Sequence, residues 1–233
     1  MTYVTADLHG FPPEPLQQKL NEIGFRESDR LYVLGDCIDR GTEGIRLLRW
    51  IMPQPNVKML LGNHEAMMLD VQELFEAACM PNPDDLTGEL RRKYMHWYTN
   101  GGHITLPGLQ QCTRAQCKHL FRFLERLPLY YEISVNGIPY VLTHSGLGNF
   151  REDKPLSAYT QHELTWNRPS LVHEYYKDGK MVVFGHTNTV CYGTMFNGKP
   201  IYTDSWINID VGVARGNPPL LLRLDDMQEF YVK

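Results

Sequence analysis

The sequence lacks the features of a membrane or secreted protein. It contains no apolar run of the roughly 18 to 20 residues that a transmembrane helix needs. The N-terminal segment MTYVTADLHG contains no basic stretch followed by a long apolar one, so no signal peptide is expected. These two absences predict a soluble, cytoplasmic protein without a membrane partner.

The chain also lacks a surplus of basic side chains. Its 23 Lys and Arg are outnumbered by 27 Asp and Glu, which gives a net charge of −4 with the nine histidines neutral. Nucleic-acid-binding proteins usually carry a basic excess, so no nucleic-acid partner is expected. The proportions of 42% hydrophobic and 21% charged residues exclude a disordered chain. A length of 233 residues predicts one domain spanning residues 1–233.

Cysteines are few and are not arranged in pairs. The chain has five, an odd number, and no C-x-x-C motif. A disulfide framework normally uses an even number of cysteines in a shorter chain, and structural zinc sites use paired thiolates. We therefore expect free thiols and a reducing compartment.

The first third of the sequence alternates between short apolar runs and helical patterns. The runs TYVTA (2–6), LYVLG (31–35) and VKMLL (57–61) are typical of buried strands. Between them, apolar residues recur at the spacing of a helix. The order β-α-β-α-β predicts parallel strands joined by right-handed crossovers.

The middle of the sequence differs from the first third in the spacing of its apolar residues. Residues 65–127 have mostly helical spacing, with breaks expected at residues 81–83 and 100–102, where Pro or Gly residues occur. Residues 145–180 combine prolines with polar stretches, which predicts a long excursion over the surface. Such excursions often carry functional side chains.

The remaining segments are rich in strand signals. Residues 129–144 and 193–203 each contain an Asn-Gly pair between apolar runs, which predicts two β-hairpins. The runs WINIDVG, PLLLRL and QEFYVK predict further strands near the C-terminal end. Together these patterns predict an α/β fold.

Short polar motifs follow the predicted strands. Two of the apolar runs end at His144, in YVLTHSG, and at His186, in MVVFGHT. Ligands of open α/β sheets bind beyond the carboxyl ends of the strands, so we expect five strand ends to meet at one crevice. The first three strands are followed by Asp7 and His9 in TADLHG, by Asp36, Asp39 and Arg40 in GDCIDRG, and by Asn63, His64 and Glu65 in GNHE.

These side chains are suited to catalytic metal ions. Carboxylate, imidazole and amide groups without a thiolate favour Mn, Fe or Zn over a structural zinc or a calcium cage. If one aspartate bridges two metals, the pair lies roughly 3.5–4 Å apart and contacts both oxygens of an in-line phosphoryl transfer. The bridging water then becomes a hydroxide nucleophile near neutral pH.

Chance is a poor explanation for these motifs. At about one in twenty per position, five fixed residues such as those of GDCIDRG recur in a chain of this length about once in 10⁴ sequences. A lone Asp-x-His, by contrast, is common in surface loops. The motif GNHE follows the next strand at a similar spacing, so we favour a metal site over a set of unrelated polar loops.

The motifs ADLHG, GDCIDRG, GNHE, THSG, TWNR and FGHT, in that order, resemble those of the phosphoprotein phosphatase family of metallophosphoesterases. The similarity is greatest to its compact bacterial and phage branch of serine/threonine phosphatases. It extends from Asp7 to Gly212, 206 of 233 residues. The resemblance implies a calcineurin-like metallophosphoesterase fold, in which a central β-sandwich flanked by helices carries a dinuclear metal site at the strand ends.

The resemblance also implies individual roles. It implies two divalent metal ions as cofactors, with manganese preferred and iron or zinc as alternatives. His64 is implied as the proton donor to the leaving oxygen and Asp39 as the carboxylate that orients it. Arg40 and Arg168 are implied as phosphate clamps, with Asn63 also near the substrate. The implied ligands are Asp7, His9 and Asp36 for one metal ion, and Asp36, Asn63, His144 and His186 for the other.

Three functions follow from this resemblance. The first is hydrolysis of phosphoserine or phosphothreonine in proteins, with phosphotyrosine as a further option, by direct attack of the metal-bridging hydroxide. The second is hydrolysis of diadenosine tetraphosphate by a neighbouring branch, which usually lacks the acidic residue that is Asp39 here. The third is a non-catalytic scaffold, but such relatives lose ligand histidines or the proton donor, and this chain retains them.

Two further acidic residues belong near the predicted site. We expect Glu65 to support the site through hydrogen bonds rather than to act as a base. Asp210, in the segment INIDVG, has either the same supporting role or a local role in its turn.

Overall fold

The computed structural model describes residues 1–76 and 85–233 of the chain. The helix break predicted at residues 81–83 lies outside the described residues. Within them, the four cysteines are free, as predicted. No helix in this part of the chain combines the length and apolarity needed to cross a membrane.

In the described residues, ten strands form two five-stranded sheets. The strands are β1 (Thr2–Thr5), β2 (Arg30–Val33), β3 (Val57–Met59), β4 (Tyr130–Val135), β5 (Ile138–Thr143), β6 (Met181–Phe184), β7 (Ile201–Tyr202), β8 (Trp206–Asn208), β9 (Leu220–Arg223) and β10 (Gln228–Tyr231). The first sheet has the order β10-β9-β1-β2-β3, and the second has the order β4-β5-β6-β8-β7.

The α-helices of the described residues all lie between strands along the chain. They are α1 (Pro13–Glu22), α2 (Gly44–Ile51), α3 (Asn63–Leu69), α4 (Glu73–Glu76), α5 (Gly88–Trp97), α6 (His103–Gln110), α7 (Arg114–Leu124) and α8 (Gln161–Thr165). A π-helical turn at Tyr98–Gly102 joins α5 to α6, and Gly101 within it has a φ of 113°. This conformation is not helical, and glycine adopts it far more readily than residues with a side chain. The helix therefore breaks at Gly101, within the predicted residues 100–102.

The first sheet confirms the predicted β-α-β-α-β unit. β1 pairs in parallel with β2, with Tyr3 opposite Leu31, and β2 pairs in parallel with β3. The strand β9 extends this sheet beside β1 in antiparallel orientation, and β10 pairs antiparallel with β9 at the edge. Three consecutive parallel strands therefore end at the same edge of one sheet.

The second sheet contains one of the two predicted hairpins. β4 and β5 pair antiparallel around Asn136 and Gly137, which have φ values of 51° and 83°. An Asn-Gly pair suits this turn because both central residues of a type I′ turn need positive φ. β5, β6 and β8 then run parallel, so β5 and β6 also end at a common edge.

The predicted hairpin at residues 193–203 is wrong. Thr194–Phe196 form a short 3₁₀ helix, and the strand partner of β7 is β8. The backbone N–H of Lys199 donates to the carbonyl of Phe196 at 3.0 Å, so the Asn-Gly pair is the centre of a turn that follows the 3₁₀ helix and does not join two paired strands. The strand pairing is therefore formed around a later turn, where the N–H of Thr203 donates to the carbonyl of Trp206 at 2.9 Å.

The hydrophobic core has three layers because side chains alternate along each strand. Val4, Leu142 and Val183 belong to the apolar cluster between the two sheets. Their neighbour in β1, Tyr3, belongs instead to the cluster between the first sheet and the helices. Phe184 of β6 belongs to a third cluster, formed with residues of the 145–180 excursion. The predicted central β-sandwich is confirmed, and its second sheet is covered largely by this excursion.

Candidate metal centre

Polar side chains from both sheets meet at the carboxyl ends of their parallel strands. The backbone N–H of His9 donates to the carbonyl of Asp36 at 2.8 Å, which joins the segments that follow β1 and β2. The backbone N–H of His186, after β6, donates to Oδ2 of Asp7, after β1, at 2.8 Å. The five strand ends identified in the sequence thus form one site.

Several non-glycine residues at this site have a positive φ angle. Of the nine non-glycine residues with positive φ in the described part of the chain, six are predicted site residues, with φ between 41° and 66°. Non-glycine residues seldom adopt this conformation, although Asp and His do so more often than most. The sharp turns direct side chains toward the common edge of the sheets. These six residues are Asp7, His9, Asp36, Asp39, Arg40 and His186.

Asp36 lies between two groups of histidines. Its Oδ2 is 3.8 Å from Nε2 of His9 and 3.8 Å from Nε2 of His64. Its Oδ1 is 3.5 Å from Nε2 of His144, and His186 completes this second group. Both groups are buried and have the spacing of metal ligands. The two carboxylate oxygens of Asp36 therefore face two separate candidate cation positions.

Ring nitrogens of two histidines lie close to the side-chain amide oxygen of Asn63. Its Oδ1 is 2.9 Å from Nε2 of His144 and 2.8 Å from Nδ1 of His186. Nδ1 of His144 donates to the carbonyl of Leu34 at 2.7 Å, which leaves Nε2 without a proton in the neutral ring. Burial lowers the pKa of His144, and burial together with His144 lowers the pKa of His186 to about 2. Two neutral rings and an amide oxygen in such contact form a natural binding site for a cation.

Three buried polar atoms at the site lack a hydrogen-bond partner among the described residues: Oδ1 of Asp7, Nε2 of His64 and Nε2 of His186. Burial, Asp210 and Asp36 raise the pKa of Asp7 well above its usual value, so a nearby cation would relieve the cost of its charge. An unpaired buried polar group is unfavourable. The carboxylate, imidazole and amide donors, without thiolate, thus fit divalent cations.

His64 is held in one orientation by Asp39. Nδ1 of His64 donates to Oδ2 of Asp39 at 2.7 Å, and the hydroxyl of Thr105 donates to the other carboxylate oxygen at 2.6 Å. Burial alone would lower the pKa of His64, but Asp36 and Asp39 outweigh it and raise that pKa. Nε2 of His64 is therefore the atom available to the site. The sequence analysis missed Thr105, which comes from α6 and has no motif around it.

Glu65 supports the turn that carries Asp36, as predicted. Its carboxylate accepts hydrogen bonds from the backbone N–H groups of Asp36 at 2.8 Å, Cys37 at 2.8 Å and Gly62 at 3.1 Å. These bonds join the segments after β2 and β3. Burial and the nearby Asp36 raise the pKa of Glu65 to about 7.

Two predicted arginines line one cavity of about 360 Å³ with His9 and His186. Nη1 of Arg40 donates to Nε2 of His9 at 2.8 Å. Arg168 reaches the same cavity from the 145–180 excursion, and its Nη1 lies 3.4 Å from the hydroxyl of Thr187. The excursion therefore folds over the strand ends. This is necessary if Arg40 and Arg168 are to bind the same phosphoryl group.

The backbone around the arginines is closely packed. The backbone N–H of Arg40 donates to the carbonyl of Gly101 at 3.3 Å. A Cβ atom at Gly101 would lie 2.8 Å from Cγ of Arg40. The glycine pair after α5 therefore contacts the site as well as ending a helix. On the other side, the backbone N–H of Asn167 donates to the hydroxyl of Ser145 at 2.9 Å, which ties the excursion to the end of β5.

Asp210 has the local role in its turn that was considered for it, and it also lies beside the site. It is buried and lines the same cavity, and its Oδ1 accepts a hydrogen bond from the backbone N–H of Gly212 at 3.0 Å. Burial and the nearby Asp36 raise its pKa to about 7. Asp210 follows β8, so a sixth strand end contributes to the site. The sequence contained this signal, since INIDVG also places a carboxylate directly after an apolar run.

Comparison with known proteins gives a consistent set of similarities. The sequence profile of a family described as calcineurin-like phosphoesterase matches residues 2–190. Serine/threonine-protein phosphatase 2 of Salmonella typhimurium is 26% identical over 217 residues, which cover 87% of this chain and 86% of that protein.

A second kind of relative matches a shorter region. The symmetrical bis(5′-nucleosyl)-tetraphosphatase of Pseudomonas syringae is 35% identical over 108 residues, which cover 41% of this chain and 37% of that protein's own length. The crystal structure of a candidate diadenosine tetraphosphatase superposes with a TM-score of 0.66 at 16% identity, covering 99% of this chain and 92% of the other. At this low identity the structural similarity concerns the fold alone.

Proposed function

The chain belongs to the calcineurin-like phosphoesterase family, and we propose that it is a metal-dependent phosphomonoesterase that removes phosphate from phosphoserine and phosphothreonine in proteins, with phosphotyrosine as a further substrate. The observation that carries this proposal is the position of Asp36 between two groups of histidines. A carboxylate shared in this way suits a pair of divalent ions, which is the arrangement used for in-line phosphoryl displacement.

We assign the metal ligands as the resemblance implies. When bound, the two ions, manganese in our proposal, would supply a hydroxide nucleophile at neutral pH and polarise the phosphoryl oxygens. The unpaired Oδ1 of Asp7 and the contacts around Asn63 support this assignment. One ion would be held by Asp7, His9 and Asp36, and the other by Asp36, Asn63, His144 and His186.

In this proposal, His64 gives a proton to the leaving oxygen of serine or threonine. An alkoxide is a poor leaving group, so its protonation in the transition state lowers the barrier. The hydrogen bond from Nδ1 to Asp39 leaves Nε2 pointing into the site and favours the protonated ring. Thr105 in turn holds the Asp39 carboxylate.

Arg40 and Arg168 bind the oxygens of the phosphoryl group. Both line the cavity beside the candidate metal ligands. A guanidinium can donate two hydrogen bonds to one phosphate, and these bonds strengthen as negative charge develops on the transferring oxygens. Two arginines that approach from different segments can also fix the orientation of the phosphoryl group.

The choice of substrate depends on two observations. The protein phosphatase of Salmonella typhimurium aligns over most of both chains, whereas the tetraphosphatase of Pseudomonas syringae aligns over less than half of each. The chain also retains Asp39, which contacts the proposed proton donor and which the tetraphosphatase branch usually lacks. Both favour a phosphoprotein substrate, and hydrolysis of dinucleoside polyphosphates is the second candidate.

A direct comparison of substrates tests this proposal. With manganese present, we expect kcat/KM for phosphoserine and phosphothreonine peptides to exceed that for diadenosine tetraphosphate by at least about tenfold, equivalent to about 1.4 kcal/mol. Released phosphate and nucleotide products would be measured in parallel, with a chelated sample as control. A preference for the tetraphosphate would select the second candidate, and hydrolysis of neither would refute both.

Replacement of Arg168 by alanine tests the proposed phosphate clamp. We expect kcat/KM to fall by about 10², because charge-assisted hydrogen bonds to the transition state are lost. Inhibition by inorganic phosphate should weaken as well, and Arg168→Lys should restore only part of the rate because lysine lacks the planar fork. Arg151→Ala is the matched control, since Arg151 is 71% exposed and faces Asp153. Unchanged kinetics in Arg168→Ala would remove Arg168 from the site.

A further inference from the structure

Two cysteines lie at the junction between α6 and α7, outside the candidate metal centre. Cys112 follows α6 and is partly exposed, whereas Cys117 lies in the first half of α7 and is buried. Cys117 belongs to the apolar cluster between the first sheet and the helices, and Cys112 packs against the same cluster. The proposed hydrolysis uses neither thiol.

The start of α7 brings the two cysteine side chains together. The hydroxyl of Thr113 accepts a hydrogen bond from the backbone N–H of Gln116 at 3.3 Å, and the Gln116 side chain accepts one from the backbone N–H of Thr113 at 2.9 Å. This reciprocal pair is a capping box with Thr113 as the N-cap. In such boxes the residue before the N-cap often packs against the fourth residue of the helix. These two positions are Cys112 and Cys117, so the segment CTRAQC places one thiol beside another.

The end of α6 holds both sulfur atoms on neighbouring carbonyl groups. The thiol of Cys112 donates to the carbonyl of Gly108 at 3.3 Å, and Sγ of Cys117 lies 3.8 Å from the carbonyl oxygen of Leu109. Burial, followed by the interaction with the Cys112 thiol, raises the pKa of Cys117 to about 11. The two thiols therefore interact directly, and Cys117 keeps its proton at neutral pH.

The surroundings of Cys112 differ from those of Cys117. Nη2 of Arg49, on α2, donates to Sγ of Cys112 at 3.2 Å. Cysteines that react with oxidants are typically partly exposed and lie beside a positive charge, because the thiolate is the nucleophile. Cys117 is buried and protonated, so it is suited to a second step rather than to the first.

We propose that Cys112 and Cys117 are a redox-sensitive pair that a peroxide oxidises to an intramolecular disulfide. The thiolate of Cys112 attacks one oxygen of the peroxide, so that an S–O bond forms while the O–O bond breaks, and hydroxide leaves. The sulfur of Cys117 then attacks the resulting sulfenic acid, so that the S–S bond forms while the S–O bond breaks, and water leaves. Together the two thiols lose two electrons, and hydrogen peroxide is reduced to two molecules of water.

Such a pair agrees with the free thiols and the reducing compartment predicted from the sequence. Disulfides in reducing compartments are usually transient and sense oxidants. The capping box fixes the backbone between the two cysteines, so closing the bond needs movement mainly of side chains. Reduction by cellular thiols would then restore the pair.

Peptide mapping tests the proposed disulfide directly. Trypsin cleaves after Arg114, which separates Cys112, in peptide 94–114, from Cys117, in peptide 115–118. The reduced full-length protein would be treated with equimolar hydrogen peroxide, its remaining thiols blocked with N-ethylmaleimide, and the sample digested without a reductant. We expect mass spectrometry to find the two peptides joined, and a reductant to release them. The undigested oxidised protein should keep the mass of a single chain.

Substitutions separate the two steps. Cys117→Ser should stop at the sulfenic acid of Cys112, which dimedone traps, whereas Cys112→Ser should leave Cys117 unoxidised because it is buried. Arg49→Ala should slow disulfide formation about threefold, the size expected for one exposed charge contact. Arg122→Ala, an exposed arginine on α7, is the matched control and should leave the rate unchanged. Circular dichroism checks that each variant is folded.

Three results would overturn the proposal. They are the absence of a joined 94–114 and 115–118 species in the oxidised wild-type protein, linkage of either peptide to a different cysteine in its place, and dimedone labelling of Cys117 in Cys112→Ser. None of these measurements uses the hydrolysis of a phosphoester, so they stand apart from the test of the proposed function.

Discussion

Replacement of Asp36 by asparagine is expected to remove bound metal and to lower kcat/KM for phosphopeptides by about 10³ or more. Asparagine has nearly the same shape and keeps an oxygen that can accept the hydrogen bond that the backbone N–H of His64 donates to Oδ1 of Asp36 at 3.1 Å. What it loses is the negative charge and the second oxygen that faces His9 and His64. The substitution therefore tests the shared carboxylate more directly than it tests the fold.

Chelation should have the same effect in the wild-type protein, and added manganese should restore its activity but not that of Asp36→Asn. Elemental analysis gives the metal content, and circular dichroism checks that the variant is folded. Asp204→Asn, which removes an exposed carboxylate outside the site, is the control for a simple change in charge. Full turnover by protein shown to contain no metal would contradict the proposed mechanism.

Replacement of His64 by asparagine is expected to lower kcat for phosphoserine peptides by about 10² to 10⁴, the usual contribution of general acid catalysis. The loss should be much smaller for an aryl phosphate, because its leaving oxygen needs little protonation. This contrast between substrates distinguishes a proton donor from a residue that only maintains the shape of the site. A loss of equal size for both substrates would favour the structural role.

The metal content of His64→Asn resolves a second question. Nε2 of His64 lies 3.8 Å from Oδ2 of Asp36, the same distance as Nε2 of His9, so the geometry alone would also allow His64 to be a ligand. We expect the variant to keep its metal, since we assign His64 to proton transfer. Loss of metal would assign His64 to the ligand set instead. His119→Asn, an exposed histidine on α7, serves as the control.

The sequence predicted the site best where a polar motif directly follows a strand. Each of the motifs around Asp7, Asp36 and Asn63 directly follows a parallel strand, so their convergence could be inferred from the strand order alone. The hairpin prediction at residues 193–203 failed because an Asn-Gly pair reports a turn but not which segments pair across it. The strand β7 pairs instead across the next turn, at residues 203–205, which contains no Asn-Gly pair.

Residues without a motif were missed for a related reason. Thr105 contacts Asp39 across 66 positions of sequence, and nothing in its neighbours distinguishes it from an ordinary helix residue. Such contacts are set by tertiary structure, which a local pattern does not encode.

The hydrogen bond between His186 and Asp7 has a consequence for the order of folding. It joins residues 179 positions apart, one following a strand of the first sheet and the other following a strand of the second. Contacts between distant segments form late because the entropy of closing the intervening loop opposes them. An intermediate that contains only one folded sheet would therefore lack some of the metal ligands that we propose, and we expect metal binding to complete folding rather than to nucleate it.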